Sequence, residues 1–513
     1  MFCFAASRAP ALRLQQTQRK CTMGLNALDL GVIVAYLAGV TLFGLHFRRK
    51  QQTLKNYFLA GNVIPWWAIS LSIVAAETST LTVISVPGMA YDKDFRFLQL
   101  VIGYLIGRVV VSFIFIPQYF RGELVTAYQL MERRFGQKLR TLTAGLFLAT
   151  RAAAEGVRVF AVAIVVRVAL GGLLTGLSDF QRDFCAIAIV TLLTLIYTFE
   201  GGMAAAIWTD VVQQTIYVVG TLVGFFTILH LVPGGWDTVH TVAGHAGKFR
   251  VFDYSFNFTT TYTFWSGVIG GAFLNTATHG TDQLIVQRLL SARSQRQSQV
   301  ALLLSGVAIL FQFSLFLLIG AMLFVFYRIF PPPIAFTRTD TIFPTFVVSH
   351  MPHIVSGLLI SAILAAAMSN LSAALNSLSS TTIVDFYMRI HPDSTEKRRV
   401  QLSRLAMVGW ALLLFALALV ARHGGKVLEV GLSIMSVAYG ALLGVFLLGV
   451  LTRTASERGA MVGMICGFSL DIYLWLCTDV AFTWYVVLGT STTFIIGYCA
   501  SLIMPRTNLK LSC

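Results

Sequence analysis

Charge is what this sequence has least of. Only 12% of its 513 residues are Asp, Glu, Lys or Arg, about half of what a soluble domain carries. A water-facing surface cannot be built over most of such a chain, which excludes a soluble enzyme or soluble binding module. Cysteine is sparse and scattered. The seven, at 3, 21, 185, 466, 477, 499 and 513, form no CxxC pair and read as small apolar fillers, not as a metal site or disulfide framework. HExxH, GxSxG and paired metal-ligand motifs are missing too, so a membrane enzyme has no catalytic constellation to work with. The first 22 residues hold no sustained apolar run and form no proper signal peptide. The stretch MGLNALDLGVIVAYLAGV from Met23 makes a cleaner start, so 1–22 reads as a disordered or mis-assigned extension.

Hydrophobic residues fill the space instead, at 56% of the chain, with a mean hydropathy of +0.75. Long apolar segments recur from end to end, each near the ~20 residues a helix needs to cross a bilayer. The expectation is an all-α integral membrane protein of about 13 spans, near 28–46, 65–91, 98–119, 139–171, 183–199, 204–232, 263–290, 298–328, 344–384, 402–421, 428–451, 457–477 and 483–503. The largest loop, about Pro233–Thr261, is too small to hide a soluble domain.

The net charge of +16 belongs to the membrane and not to a nucleic-acid partner. Basic clusters at 48–55, 121–140, 288–296, 389–404 and 453–458 fall on alternate sides of successive spans, the positive-inside pattern. This orients the chain in the plasma (cytoplasmic) membrane with its N-terminus outside and its C-terminus, after Pro505-Arg506, inside. Glu200–Met203 is the one exception, an inside turn whose only charge is negative.

Three interruptions in the apolar pattern point to function. In Ala365–Tyr387, Ser369, Ser372, Asn376 and Ser379 recur at steps of three, four and three residues, which places their oxygens on one stripe of one helix. Such a stripe suits a path for a small hard cation, or close-packed helix–helix contact. In Trp66–Tyr91 the centre reads AAETST, and in Phe264–Arg288 it reads LNTATHG. Polar breaks in two spans at matching positions of two halves are the mark of a transporter with a midplane site. Five spans begin with each, starting on opposite faces, as an inverted repeat requires.

Short motifs run in order through Tyr57–Leu451: Tyr57-Phe58-Leu59-Ala60-Gly61, Thr126-Ala127-Tyr128 leading to Glu132-Arg133-Arg134-Phe135-Gly136, Gly201-Gly202 leading to Thr209-Asp210-Val211-Val212-Gln213, Thr281-Asp282-Gln283-Leu284-Ile285-Val286-Gln287-Arg288, and Leu375-Asn376-Ser377 ending at Asp385-Phe386-Tyr387. In this order the chain resembles the sodium:solute symporters, the sodium–glucose cotransporter family. The resemblance implies the 5+5 inverted-repeat fold with two broken helices, an extra first helix and basic loop over 23–56, repeats over 57–262 and 263–451, and two extra helices with a short tail over 452–513.

The same resemblance implies a sodium site formed by the backbone carbonyls of Ala75, Thr78 and Ala366 with the side chain of Ser369. The neighbouring position, usually a second hydroxyl, is Asn370, whose amide brings an NH2 group that must go elsewhere. Asp210 falls where the family places an acid near the ion, and Ser372 could help it form a second site, although Ala373 stands where a further hydroxyl is found. One sodium is favoured over two. For the solute, the resemblance points to Asn275, with Thr278 in place of an aromatic lid and His279 beside it. Thr82 on the first broken helix joins this set. Arg151 is the closest match to an arginine that binds acidic sugars, with Arg158 second; both can equally pair with Glu155 or Glu77. Glu77 itself has three competing roles: a ligand, a proton carrier or a salt-bridge partner.

The expectation is a symporter, not an enzyme. It would carry sodium as cargo and import a small polar solute (sugar, acidic sugar or carboxylate) by alternating access. A proton-coupled or sodium-independent carrier is the alternative raised by Glu77 and Asn370, and a membrane sensor with a separate partner is more remote. Beyond solute and lipid bilayer no partner is implied, and oligomeric state is left open.

Overall fold

The computed structural model describes residues 25–45, 53–78, 80–121, 124–170, 176–332, 335–336, 338–421 and 427–504. The expected extension 1–22, the start at Met23 and the tail after Pro505 lie outside these residues.

Helices form where the apolar runs predict them, and no strand forms among the described residues beyond one isolated bridge, Ile64 to Ala292. The first is α1, Ala27–Leu45, followed by α2, Trp66–Glu77, and α3, Thr80–Asp92. Then come α4, Leu98–Val110, which runs on through a π turn to Tyr119, α5, Gln137–Leu170, and α6, Asp179–Leu231. The second half opens with α7, Gly270–Gly280, α8, Gln283–Leu290, α9, Gln295–Ile329, and α10, Val355–Thr381. It closes with α11, Glu396–Ala421, α12, Val427–Leu451, α13, Glu457–Cys477, and α14, Phe482–Ile503. Among the described residues, eight helices are long and apolar enough to span on their own, or nine if the bent pair α2–α3 counts as one. The charged α5 and the interrupted α7–α8 do not meet that test, although each is helical where a span was expected.

A hydrocarbon surround gives apolar side chains little reason to leave it, so small residues and polar contacts decide which helices touch. Burial of the apolar stretch is 94% in Val355–Ile390 and only 22% in Glu396–Ala421, which places α10 at the centre and α11 at the rim. The run Ala365, Ala366, Ala367 with Ala373 and Ala374 lets neighbours come close to α10. Gly463 does the same between α13 and α14, where an added Cβ would meet Thr493 O at 2.4 Å and Gly497 Cα at 2.6 Å. Large apolar side chains such as Phe113, Val307, Phe311, Leu412 and Ile503 face outward, as lipid contact requires.

One local feature differs from the expected pattern. The segment 344–384 is not one span: a short helix Ile342–His350 ends before α10, and Ile354 between them has φ +71°. Asp29 of α1 stabilises that turn, accepting the Ile354 N–H at 2.6 Å. Within the expected turn Glu200–Met203, Gly202 interrupts α6 at φ 57° and ψ −150°, a backbone region that essentially only glycine enters.

Candidate functional site

The two expected breaks are present, and one is displaced. Between α2 and α3 the chain bends by 63°, with Thr78 at φ −85° and ψ 85°. The second break was expected within Leu274–Gly280. Helix α7 instead continues to Gly280, and the interruption falls at Thr281-Asp282. The cause is Asp282, whose carboxylate accepts the Leu284 N–H at 2.8 Å and so starts α8 as an N-cap.

Of the groups assigned to sodium from the sequence, Ala75, Ala366 and Asn370 meet where α2 packs on α10. Asn370 Nδ2 donates to Ala75 O at 3.3 Å and to Ala366 O at 3.1 Å. Thr78, at the break, is buried with its hydroxyl 3.5 Å from Gln312. Ser369 donates to Asp210 Oδ1 at 2.5 Å. Asp210 also accepts from Ser72 (2.5 Å) and from Arg288 (2.9 Å), an ion pair with both side chains fully buried. A carboxylate and guanidinium out of water need this density of partners, because each alone would carry a large desolvation cost.

The polar stripe of α10 divides in two. Ser369 serves the Asp210 cluster, whereas Ser372 accepts from Thr198 of α6 at 2.9 Å and Ser379 donates to Ser403 O of α11 at 2.6 Å. Asn376 donates back to Ser372 O at 3.1 Å. The lower stripe thus acts as helix–helix and backbone contact, and Ser372 is not bonded to Asp210.

Beside this junction lies a cavity of about 90 Å³, ample when one water needs about 10–15 Å³. Glu77, Thr82, Arg151, Arg158, Thr278 and His279 are among its walls. Asn275, expected beside the solute, stands behind them and meets protein groups on α4. With its amide turned to satisfy both ends, it donates to Tyr104 O at 3.0 Å and accepts from Arg108 at 3.0 Å. Arg108 of α4, buried in an otherwise apolar span, also forms an ion pair with Glu77 and a 3.2 Å bond to Ser305. Among the three roles open to Glu77, the structure places it in a salt bridge, with His279 Nε2 3.7 Å away. His279 Nδ1 bonds Thr278 Oγ1 at 2.8 Å.

Arg151 lies 3.0 Å from Asp282 and 3.1 Å from Glu155, with only its Nη1 in a hydrogen bond, to Asp282. Asp282 also accepts from Tyr439 at 2.5 Å. Arg158 is held more loosely, 3.6 Å from Glu155, 3.5 Å from Asn370 Oδ1 and 3.3 Å from Met435 Sδ. Of the two arginines named from the sequence, Arg158 has the longer ion-pair contact. The sequence reading missed Arg108 and Arg288 as partners of Glu77 and Asp210, and Tyr439 as a partner of Asp282. A lone arginine in an apolar run was the available signal for Arg108; nothing local marks Tyr439.

A profile of the sodium:solute symporter family matches residues 57–467. The chain is 30% identical to the sodium/sialic acid symporter NanT of Aliivibrio fischeri, over 94% of this chain and 95% of that protein. It is 29% identical to the sodium/sialic acid symporter SiaT of Proteus mirabilis, over 94% and 97%. A solved structure of a Na+-coupled sialic acid symporter, substrate-bound and outward-open, superposes with a TM-score of 0.83 at 27% identity, covering 93% of this chain and 98% of that one.

Proposed function

The chain belongs to the sodium:solute symporter family, and we propose that it imports a small acidic solute, of the sialic acid class, together with sodium. Family membership and the sialic acid relatives support the coupling ion and the acidic sugar. The observation that carries the reading is the charge balance around the cavity. Three arginines, Arg108, Arg151 and Arg158, are matched by three carboxylates, Glu77, Glu155 and Asp282. Adding one monoanionic solute and one sodium keeps this low-dielectric site neutral, whereas either alone leaves a buried net charge. Arg158 is the group best placed to receive the carboxylate, because guanidinium binds it bidentately and its present ion pair is its weakest.

Sodium is held, in this reading, by the carbonyls of Ala75, Thr78 and Ala366 with Ser369, and Asp210 acts nearby through Ser369. Thr82, Thr278 and His279 complete the solute wall. The halves 57–262 and 263–451 form the inverted repeat, and rocking of one part against the other alternates access. An N-terminus outside and C-terminus inside the plasma membrane agree with the basic loops. The membrane potential then contributes about 2.3 kcal/mol per charge per 100 mV to accumulation.

Uptake of labelled sialic acid into proteoliposomes, under an inward sodium gradient or a matched potassium gradient, tests the reading. Accumulation that needs sodium and is lost in Arg158→Ala is expected. A second reading, proton coupling, rests on Glu77 lying at the cavity wall between Arg108 and His279. Uptake indifferent to sodium, driven by an inward proton gradient and abolished by Glu77→Gln, would establish it instead.

A further inference from the structure

The break after α2 ends its hydrogen-bond ladder with Thr78 N–H on Val74 O at 2.8 Å. The next carbonyl, Ala75 O, takes a side-chain donor, Asn370 Nδ2. The same nitrogen serves Ala366 O one turn earlier on α10. At the other end of the amide, Asn370 Oδ1 faces Arg158 Nη1 at 3.5 Å. Asn370 is 2% exposed, so water does not substitute for these partners.

This orientation has a chemical consequence. A hydroxyl at position 370 would present an oxygen to a cation lodged between the two helices. The amide, turned as it is, presents its hydrogens to the very oxygens a cation would need, and an NH2 group cannot ligate sodium. Turning the amide over would bring Oδ1 to the carbonyl side, but it would set Nδ2 against Arg158. A guanidinium has five donors and no acceptor, so the turned amide would face donor against donor. Arg158 therefore fixes which face of Asn370 the ion path meets.

We infer that Asn370 and Arg158 form a latch that makes cation binding conditional on an anionic solute. A solute carboxylate that engages Arg158 draws the guanidinium away from Oδ1. The amide is then free to rotate, releases Ala75 O and Ala366 O, and adds its own oxygen to the cation's ligand set. Linkage makes the effect reciprocal: sodium tightens the solute by the factor with which the solute tightens sodium. This rests on the reading that an acidic solute binds at Arg158. The latch itself also makes a prediction that needs no solute.

The test is sodium titration of the purified full-length protein at constant ionic strength against potassium, followed by melting temperature. It is run with and without saturating sialic acid, in wild type, Asn370→Ser and Arg158→Gln. Melting in potassium alone checks that each variant is folded, and Asn370→Thr replaces the serine variant if that one is not. In wild type, half-saturation by sodium should fall at least about tenfold when sialic acid is present, within the usual range of coupling between sites. Asn370→Ser should bind sodium at least about tenfold more tightly than wild type without any solute, a gain of about 1.4 kcal/mol. Arg158→Gln can accept from the turned amide, so it should also bind sodium unconditionally, although it loses the solute response. Equal solute-free sodium affinities in wild type and Asn370→Ser would overturn the latch and leave sodium coupling standing. A sodium response in Asn370→Ser with none in wild type under any condition would uphold Asn370 as the barrier and overturn sodium coupling. No sodium response in any variant would remove both.

Discussion

Asp210→Asn tests the most deeply buried charge pair. The substitution keeps the shape of the side chain and removes its charge, so Arg288 is left fully buried with only Ser72 (2.8 Å) and the Leu284 carbonyl (2.9 Å) besides a neutral amide. At the 2.9 Å separation of the pair, the gross attraction at an effective dielectric of 20 is roughly 6 kcal/mol. Part of that is offset by polar partners that stay in place, and breaking a buried pair by removing one member costs about 3–5 kcal/mol in practice. For 513 residues, an unfolding entropy of about 2 cal/mol/K per residue gives roughly 1 kcal/mol per degree. The melting temperature of Asp210→Asn should therefore fall by about 3–5 °C, measured by intrinsic fluorescence in one detergent. The double variant Asp210→Asn with Arg288→Gln buries no charge there and should recover much of the loss, giving a coupling of about 2–3 kcal/mol. A single variant within about 1 °C of wild type, or a double variant whose loss equals the sum of the two singles, would refute the reasoning.

Other perturbations reach different parts of the molecule. Gly202→Ala forces a Cβ into φ 57°, ψ −150° and should cost about 1–3 kcal/mol, read as a similar number of degrees on the same melting curve. In the loop between α6 and α7, Asp253 accepts from the Ser255 hydroxyl (2.8 Å) and amide (3.2 Å) and pairs with Arg96 at 2.9 Å. These partners, Ser255 foremost, hold its carboxyl below the usual range. A depressed acid favours the folded state fully above its unfolded value of about pH 4 and loses that contribution as pH falls through the lower folded value. Wild type should accordingly lose more melting temperature than Asp253→Asn between pH 5 and pH 3, and parallel losses would count against the clasp.

Periodicity and composition were enough to locate the helices, because in a bilayer every backbone group must be satisfied within its own segment. For the same reason, the two polar interruptions are legible as breaks in the sequence alone. What they could not supply was the register of the second one, since Asp282 acts as a helix N-cap only once Leu284 N–H is within reach. Glu77, Arg151 and Arg158 were legible as charges too costly to sit in lipid without a purpose. Their partners were not, because Arg108 lies 31 residues from Glu77 and Asp282 lies 131 residues from Arg151.

The serine stripe shows the limit from another side. Helical spacing put Ser369, Ser372, Asn376 and Ser379 on one face of α10, and that face is where they lie. Which of them meets a charge, a hydroxyl or a neighbouring backbone depends on which residue of α6 or α11 lies at that height. The sequence by itself thus determined the membrane class, the breaks and the inventory of buried charge, all of which follow from local spacing and the cost of polar groups in hydrocarbon. Only the tertiary structure decided the pairing of those charges and the direction in which the Asn370 amide points, because both are set by atoms brought together from helices far apart in the chain.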